Sequence, residues 1–191
     1  MAVKNILVVE NPILRKKSKK VRQFDGALQK LADDMLETMR AANGLGLAAP
    51  QIGVLQRLIV IEMPPENEEV NEGELAAQPR KPGKIYVVCN PEITHASGEE
   101  EMEEGCLSVP GYVGSVARAS RVTVRGQNLK GKGVRIEADG LLARAFQHEI
   151  DHLDGILFLD RVASPDKLRR VEAARQGPPA PSATTETKER L

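Results

Sequence analysis

The stretch QHEIDHLDG, residues 147–155, decides how this chain is read. His148 and His152 are four apart, so on an α-helix they lie one turn above the other on the same face and can grip one divalent metal. Glu149 follows the first histidine. A carboxylate at that place can reach a water on the metal without ligating, which suits the general base of a metal-assisted hydrolysis. Two surface histidines on an ordinary helix would be the bland alternative. The chain has only three histidines, and chance seldom spaces two of them this way around a glutamate. The third, His95, lies in a turn-like segment with no partner in sequence and reads as a surface residue.

Working outward, the pattern predicts a helix that begins after Asp139 as N-cap and carries Leu141, Ala145, His148 and His152 on one stripe. Before it, residues 120–127 and 133–138 alternate apolar with polar side chains around Asn128, Gly131 and Gly133, the pattern of a hairpin. The runs 57–62 and 85–89 are β-branched and read as a pair of strands. Leu28, Leu31, Met35 and Met39 mark a further amphipathic helix, capped by Asp25 and ended by Asn43 and Gly44. Between the two strands, residues 63–84 hold four prolines and two glycines among many glutamates, which predicts a surface loop. The basic run from Arg15 to Arg22 and the acidic run from Glu99 to Glu104 read as solvated faces without a function.

A length of 191 residues with 41% apolar content suits one domain with a sizeable core. Basic and acidic residues balance at 27 each, and aromatic residues make up only 3%, which leaves no global positive field and few platforms for stacking bases. Binding to DNA is therefore not expected. Apolar runs fall short of the roughly 18 residues of a transmembrane helix, and no signal-peptide pattern opens the chain, so neither membrane insertion nor secretion is expected. Two cysteines are too few for a disulfide framework and fit a reducing cytoplasm.

A catalytic metal with two histidines lacks a third protein ligand. Cys89 stands in the alternating run IYVVCN, where a small buried side chain is the default. Cys106, in EGCLSVPG at residues 104–111, is flanked by glycine and proline; its thiol could face a cleft or be a structural cysteine in a turn. Spacing alone leaves both open. The loop GLGLAAPQIG, residues 44–53, permits close backbone approach to a substrate, and Gln51 can supply an amide donor, although an ordinary helix-to-strand loop would look the same. It lacks the Lys and Ser or Thr of a phosphate loop.

Taken together and in this order, GLGLAAPQIG, EGCLSVPG and QHEIDHLDG resemble the three motifs of peptide deformylases. The resemblance covers roughly residues 5–165; the insertion from Met63 to Lys84 and the proline-rich tail fall outside the family pattern. It implies an α+β fold, with antiparallel sheets around a central helix carrying the HExxH motif. It also implies Cys106 as third ligand beside His148 and His152, Fe²⁺ as native ion with Zn²⁺, Ni²⁺ or Co²⁺ as replacements, and Glu149 as base. Gln51 and the backbone N–H of Leu107 would stabilise the oxyanion, and Gly46 would shape the substrate loop. Leu45, Leu141 and Ala145 are candidates for a methionine pocket, with core packing as the alternative. The implied reaction removes the N-formyl group from the formylmethionine of nascent polypeptides in the cytoplasm. An HExxH zinc protease and a non-catalytic metal-binding protein are the rivals.

The expected organisation is a catalytic domain over 1–164, a C-terminal helix over 165–176 and a disordered tail over 177–191. Lys167, Arg169, Arg170 and Arg175 would make that helix basic; a plain docking helix is the preferred reading, and weak association with the ribosome is the alternative.

Overall fold

The computed structural model describes residues 2–65 and 83–171. Strands β1 (Gly46–Ala48), β2 (Leu58–Met63), β3 (Lys84–Ser97), β6 (Arg121–Gln127) and β7 (Gly133–Asp139) form one antiparallel sheet in the order β1-β2-β3-β6-β7. A second sheet, β4-β5-β8, joins β4 (Glu100–Gly105), β5 (Tyr112–Arg118) and β8 (Leu168–Arg170). Helices α1 (Gly26–Ala41) and α2 (Gly140–Leu153) complete the α+β fold.

The apolar run in β2 explains the layering. Successive side chains of a strand point to opposite faces, so a strand covered on both faces is apolar throughout. Leu58 and Val60 join Leu28, Ala32, Met35 and Met39 of α1 in one core, while Ile59 and Ile61 join Phe146, Ile150 and Leu153 of α2 in another. Helix α2 is thus buried on the far side of the large sheet from α1. Its polar side meets the second sheet, where Val116, Val109, Phe158, Leu14 and Leu157 form a third cluster. Asp25 caps α1, accepting from the N–H groups of Ala27 and Leu28, and Asn43 takes the left-handed conformation at φ 54°. Asp139 occupies the N-cap position of α2 without making a side-chain cap bond.

Several expectations need correction. Strand β3 does not stop at Cys89; it passes an irregularity at Asn90 and Pro91 and runs on to Ser97, which puts His95 in an exposed strand position and not a turn. Asn90, at φ 51°, accepts from Val21 N–H and donates to Val21 C=O and Gln127, so its side chain absorbs the register shift. The helix expected over 165–176 is absent across its described part. Residues 165–167 make a 3₁₀ turn, and Leu168–Arg170 pairs with Tyr112–Gly114 of β5. Helix propensity loses there to the open edge of β5, whose backbone groups need partners. Lys167 and Arg169 pair with Glu101 and Glu103, which diminishes the free positive charge on which the ribosome expectation stood. Residues 172–176, the tail over 177–191 and most of the 63–84 insertion lie outside the described residues. Among the described residues, no helix is long and apolar enough to cross a membrane.

Candidate metal centre

Three donors converge at the end of β4 and the second half of α2. The ligand atoms of Cys106, His148 and His152 all lie within 4.8 Å of one another. Cys106 Sγ is 3.2 Å from His152 Nε2, which is itself 3.2 Å from His148 Nε2. The helix fixes the two rings by its period, and their planes meet at 74°. Cys106 arrives from the other sheet, and its thiol also lies 3.4 Å from the N–H of Ser108.

The chemistry of this donor set fits a divalent ion. Glu104 Oε2 lies 3.0 Å from His148 Nδ1, and a carboxylate can only accept, so Nδ1 carries a proton; Nε2 is the nitrogen turned to the other two donors and would supply its lone pair to a bound ion. Burial holds His152 well below its ordinary 6.5, aided by the positive charges of His148 and then Arg118, so this ring is neutral and offers a lone pair. One thiolate and two imidazoles aimed at one point suit Zn²⁺, Fe²⁺, Co²⁺ or Ni²⁺, and three protein ligands leave a position for reaction.

Glu149 follows His148 on α2, and the two lie close enough for each to feel the other's charge. The glutamate is buried, and its Oε2 has no hydrogen-bond partner among the described residues. Burial pushes its carboxyl up to about 7, opposed by the charges of His148 and Arg118. Gly46 makes room for it: a Cβ there would stand 2.3 Å from Glu149 Oε1, so the glycine of β1 is a cradle for the carboxylate. At Gly44 a Cβ would stand 2.6 Å from Leu107 Cδ1, which shows how closely the loop and the Cys106 segment approach.

Gln51 is buried in a 3₁₀ turn, Ala49–Ile52, just after β1. Its Oε1 accepts from Ala48 N–H at 2.8 Å, so the amide orientation follows, and Nε2 donates to Ser108 Oγ at 3.1 Å and toward Cys106 Sγ at 3.7 Å. Leu45 is half-buried, and its carbonyl accepts from Glu62 N–H. Leu141 is half-buried in the first turn of α2, where Leu142 and not Leu141 packs on the core; Ala145 is buried within that core. Cys89 lies in the α1 core, far up at about 11 through burial, in keeping with a structural role.

The acidic run contains a residue that sequence reasoning passed over. Glu104 is not solvated. Burial raises its carboxyl, yet bonds from His148 and Arg118 outweigh this and hold it well below the carboxylate range. Arg118 donates to Glu104 through Nε at 2.6 Å and Nη2 at 2.9 Å, and through Nη1 to Asp151 at 2.8 Å. Arg161 closes on the other side of Asp151, and Arg144 also reaches Glu104. A signal for Glu104 existed: Met102 shares its face of β4, and a methionine in alternation with glutamates marks the inward side.

A family model described as polypeptide deformylase matches residues 3–168. The peptide deformylase of Thermomicrobium roseum is 48% identical over 171 residues, which is 90% of this chain and 92% of that protein. That of Halothermothrix orenii is 51% identical over 162 residues, 85% of this chain and 95% of its own. Among solved structures, a peptide deformylase from Legionella pneumophila superposes with a TM-score of 0.74 at 46% identity, covering 87% of this chain and 89% of that one. A Met-Ala-Ser-bound class I type b peptide deformylase from Acinetobacter baumannii gives a TM-score of 0.74 at 35% identity over 84% of this chain and 99% of that one.

Proposed function

The chain belongs to the polypeptide deformylase family, and on that premise we propose how its residues take the N-formyl group from the formylmethionine of a nascent polypeptide and release formate. It is a metal-dependent hydrolase. The observation that carries the assignment of roles is the convergence of Cys106, His148 and His152 beside a buried glutamate whose Oε2 has no partner among the described residues.

In this reading Cys106, His148 and His152 hold the ion. When bound, a divalent cation supplies Lewis-acid polarisation of the formyl carbonyl and makes a nearby water more acidic. Glu149 Oε2 takes a proton from the attacking water and passes it to the amine nitrogen as the C–N bond breaks. Gln51 Nε2 and the Leu107 N–H donate to the formyl oxygen as it gains charge. Gly46 leaves space for Glu149, and we assign its loop to holding the peptide. Leu45 and Leu141, both half-buried, are the residues we assign to the methionine side chain, together with Ala145, one turn after Leu141.

Formyl-Met-Ala-Ser is the substrate to test, against a peptide with only internal amide bonds. Formate release from the first without cleavage of the second supports the reading; cleavage of internal bonds would favour a protease. Gln51→Ala is expected to keep its metal and lose about 2.7–4 kcal/mol of transition-state stabilisation, the usual cost of one oxyanion donor. An unchanged kcat would make Gln51 structural.

Fe²⁺ is the proposed native ion, with Ni²⁺ or Co²⁺ as active replacements and Zn²⁺ as a competitor, because the donor set itself does not choose. Iron-loaded protein is expected to lose activity in air, since Fe²⁺ and thiolate both oxidise whereas Zn²⁺ does not. Full activity, stable in air, in protein shown to contain only zinc would count against iron. The setting we propose is the cytoplasm, where nascent chains begin with formylmethionine. Any contact with the ribosome would be weak and salt-sensitive, with Arg170 the cation of β8 not paired to β4.

A further inference from the structure

We infer that Arg144 is a positioning residue for the metal centre, acting through Glu104 on His148 and through β4 on Cys106; the inference rests on the ligand assignment above. Arg144 stands one helical turn before His148 and two before His152, so the three share one stripe of α2. Its side chain is buried, with 6% exposure, and a guanidinium so placed is costly unless it is paired and hydrogen-bonded.

Arg144 Nη1 donates to Glu104 Oε1 at 2.7 Å and to the Val116 carbonyl at 2.9 Å, and Nη2 donates to the Glu100 carbonyl at 2.7 Å. Glu100 and Glu104 lie near the two ends of β4, and β4 leads straight into Cys106. The fork therefore registers the strand that delivers the thiol against the helix that delivers both imidazoles. Arg118 differs, because its three bonds reach only side-chain carboxylates and none reaches the backbone of β4.

The second effect is on Glu104 itself. With Arg144 on Oε1, His148 on Oε2 and Arg118 on both, the carboxylate cannot turn away from His148 Nδ1. That bond keeps the lone pair of His148 Nε2 aimed at the centre, the common way in which an outer carboxylate orients a metal-binding histidine. A lysine has the charge of arginine without its planar fork, so it cannot serve Glu104 and the Glu100 carbonyl in these directions together.

The test uses Arg144→Met and Arg144→Lys in the full chain, with Co²⁺ affinity measured by chelator competition. The Co²⁺ absorption spectrum is recorded too, since its thiolate charge-transfer band reports Cys106. We expect Arg144→Met to bind Co²⁺ about 10–100-fold more weakly. Arg144→Lys should recover only part of this, and both should show an altered spectrum while KM for formyl-Met-Ala-Ser at saturating metal is unchanged. Arg161→Gln is the control, because Arg161 joins the same chain of charges through Asp151 but touches neither Glu104 nor β4. Wild-type Co²⁺ affinity with an unaltered spectrum in Arg144→Met would overturn the inference, and so would an equal loss in Arg161→Gln. Should Arg144→Met fail to fold, Arg144→Lys, which keeps the charge, decides by the same two readouts. Absence of a thiolate band in the wild-type protein would instead overturn the ligand assignment beneath it.

Discussion

Glu149→Ala is expected to retain its metal and lose turnover by about 10²–10⁴-fold, the usual contribution of a positioned acid–base group. The expectation follows from separation of roles. Cys106, His148 and His152 converge on one point, whereas Glu149 is buried beside them with an oxygen that has no partner among the described residues. Replacing any of those three by alanine should lower bound metal, because each supplies affinity, while Glu149 moves a proton and supplies none. Metal analysis together with formate release from formyl-Met-Ala-Ser separates the two classes. Near-normal turnover by Glu149→Ala would refute the proton transfer we assign to it. The fit around this carboxylate is tight as well, since Gly46 leaves no room for even a methyl group against Oε1.

The largest expected loss of stability is that of Arg118→Met, about 3–5 kcal/mol, the range found when one partner of a buried ion pair is removed. Arg118 and Glu104 side chains are each 4% exposed, and Asp151 on α2 depends on the same guanidinium. Methionine would fill the space but leave both carboxylates short of donors. Urea unfolding at equal metal content measures the effect, and a loss below about 1 kcal/mol would show that Arg144, Arg161 and His148 suffice without Arg118. The pH dependence should change too. Glu104 is held below its ordinary 4.5, so the stability it contributes is complete above that value and lost as the pH falls below it. With Arg118 gone, that acid-side loss is expected to be shallower.

The charged residues around the centre also explain why a helix so rich in polar groups is buried. On α2, Phe146, Ile150 and Leu153 face the large sheet, while Arg144, His148, Asp151 and His152 face the small one. Each polar side chain there needs a partner delivered by β4, β5 or the segment after α2. The small sheet therefore supports the site as well as covering the helix.

What the sequence determined by itself is local. The spacing of His148 and His152 places both on one helical face whatever surrounds it, because a helix repeats every 3.6 residues. The stripe of α1, the Asp25 cap, the break at Asn43 and the hairpin around Asn128 are likewise set by neighbours a few residues apart. The resemblance of the three motifs carried the reading from a metal helix to a deformylase. Tertiary structure decided what depends on distant partners. Spacing could not show whether Cys106 meets the helix or is a structural cysteine in a turn, and only the approach of β4 to α2 brings it beside His152. Glu104 belongs to a run of glutamates of which Glu101 and Glu103 are surface pairs, yet it alone of these three meets His148, Arg118 and Arg144. Leu168–Arg170 became a strand because β5 offered an unpaired edge. The division follows the range of the forces: backbone periodicity is read within one turn, but the cost of burying a charge or leaving a strand edge open is settled by whichever remote segment arrives to satisfy it.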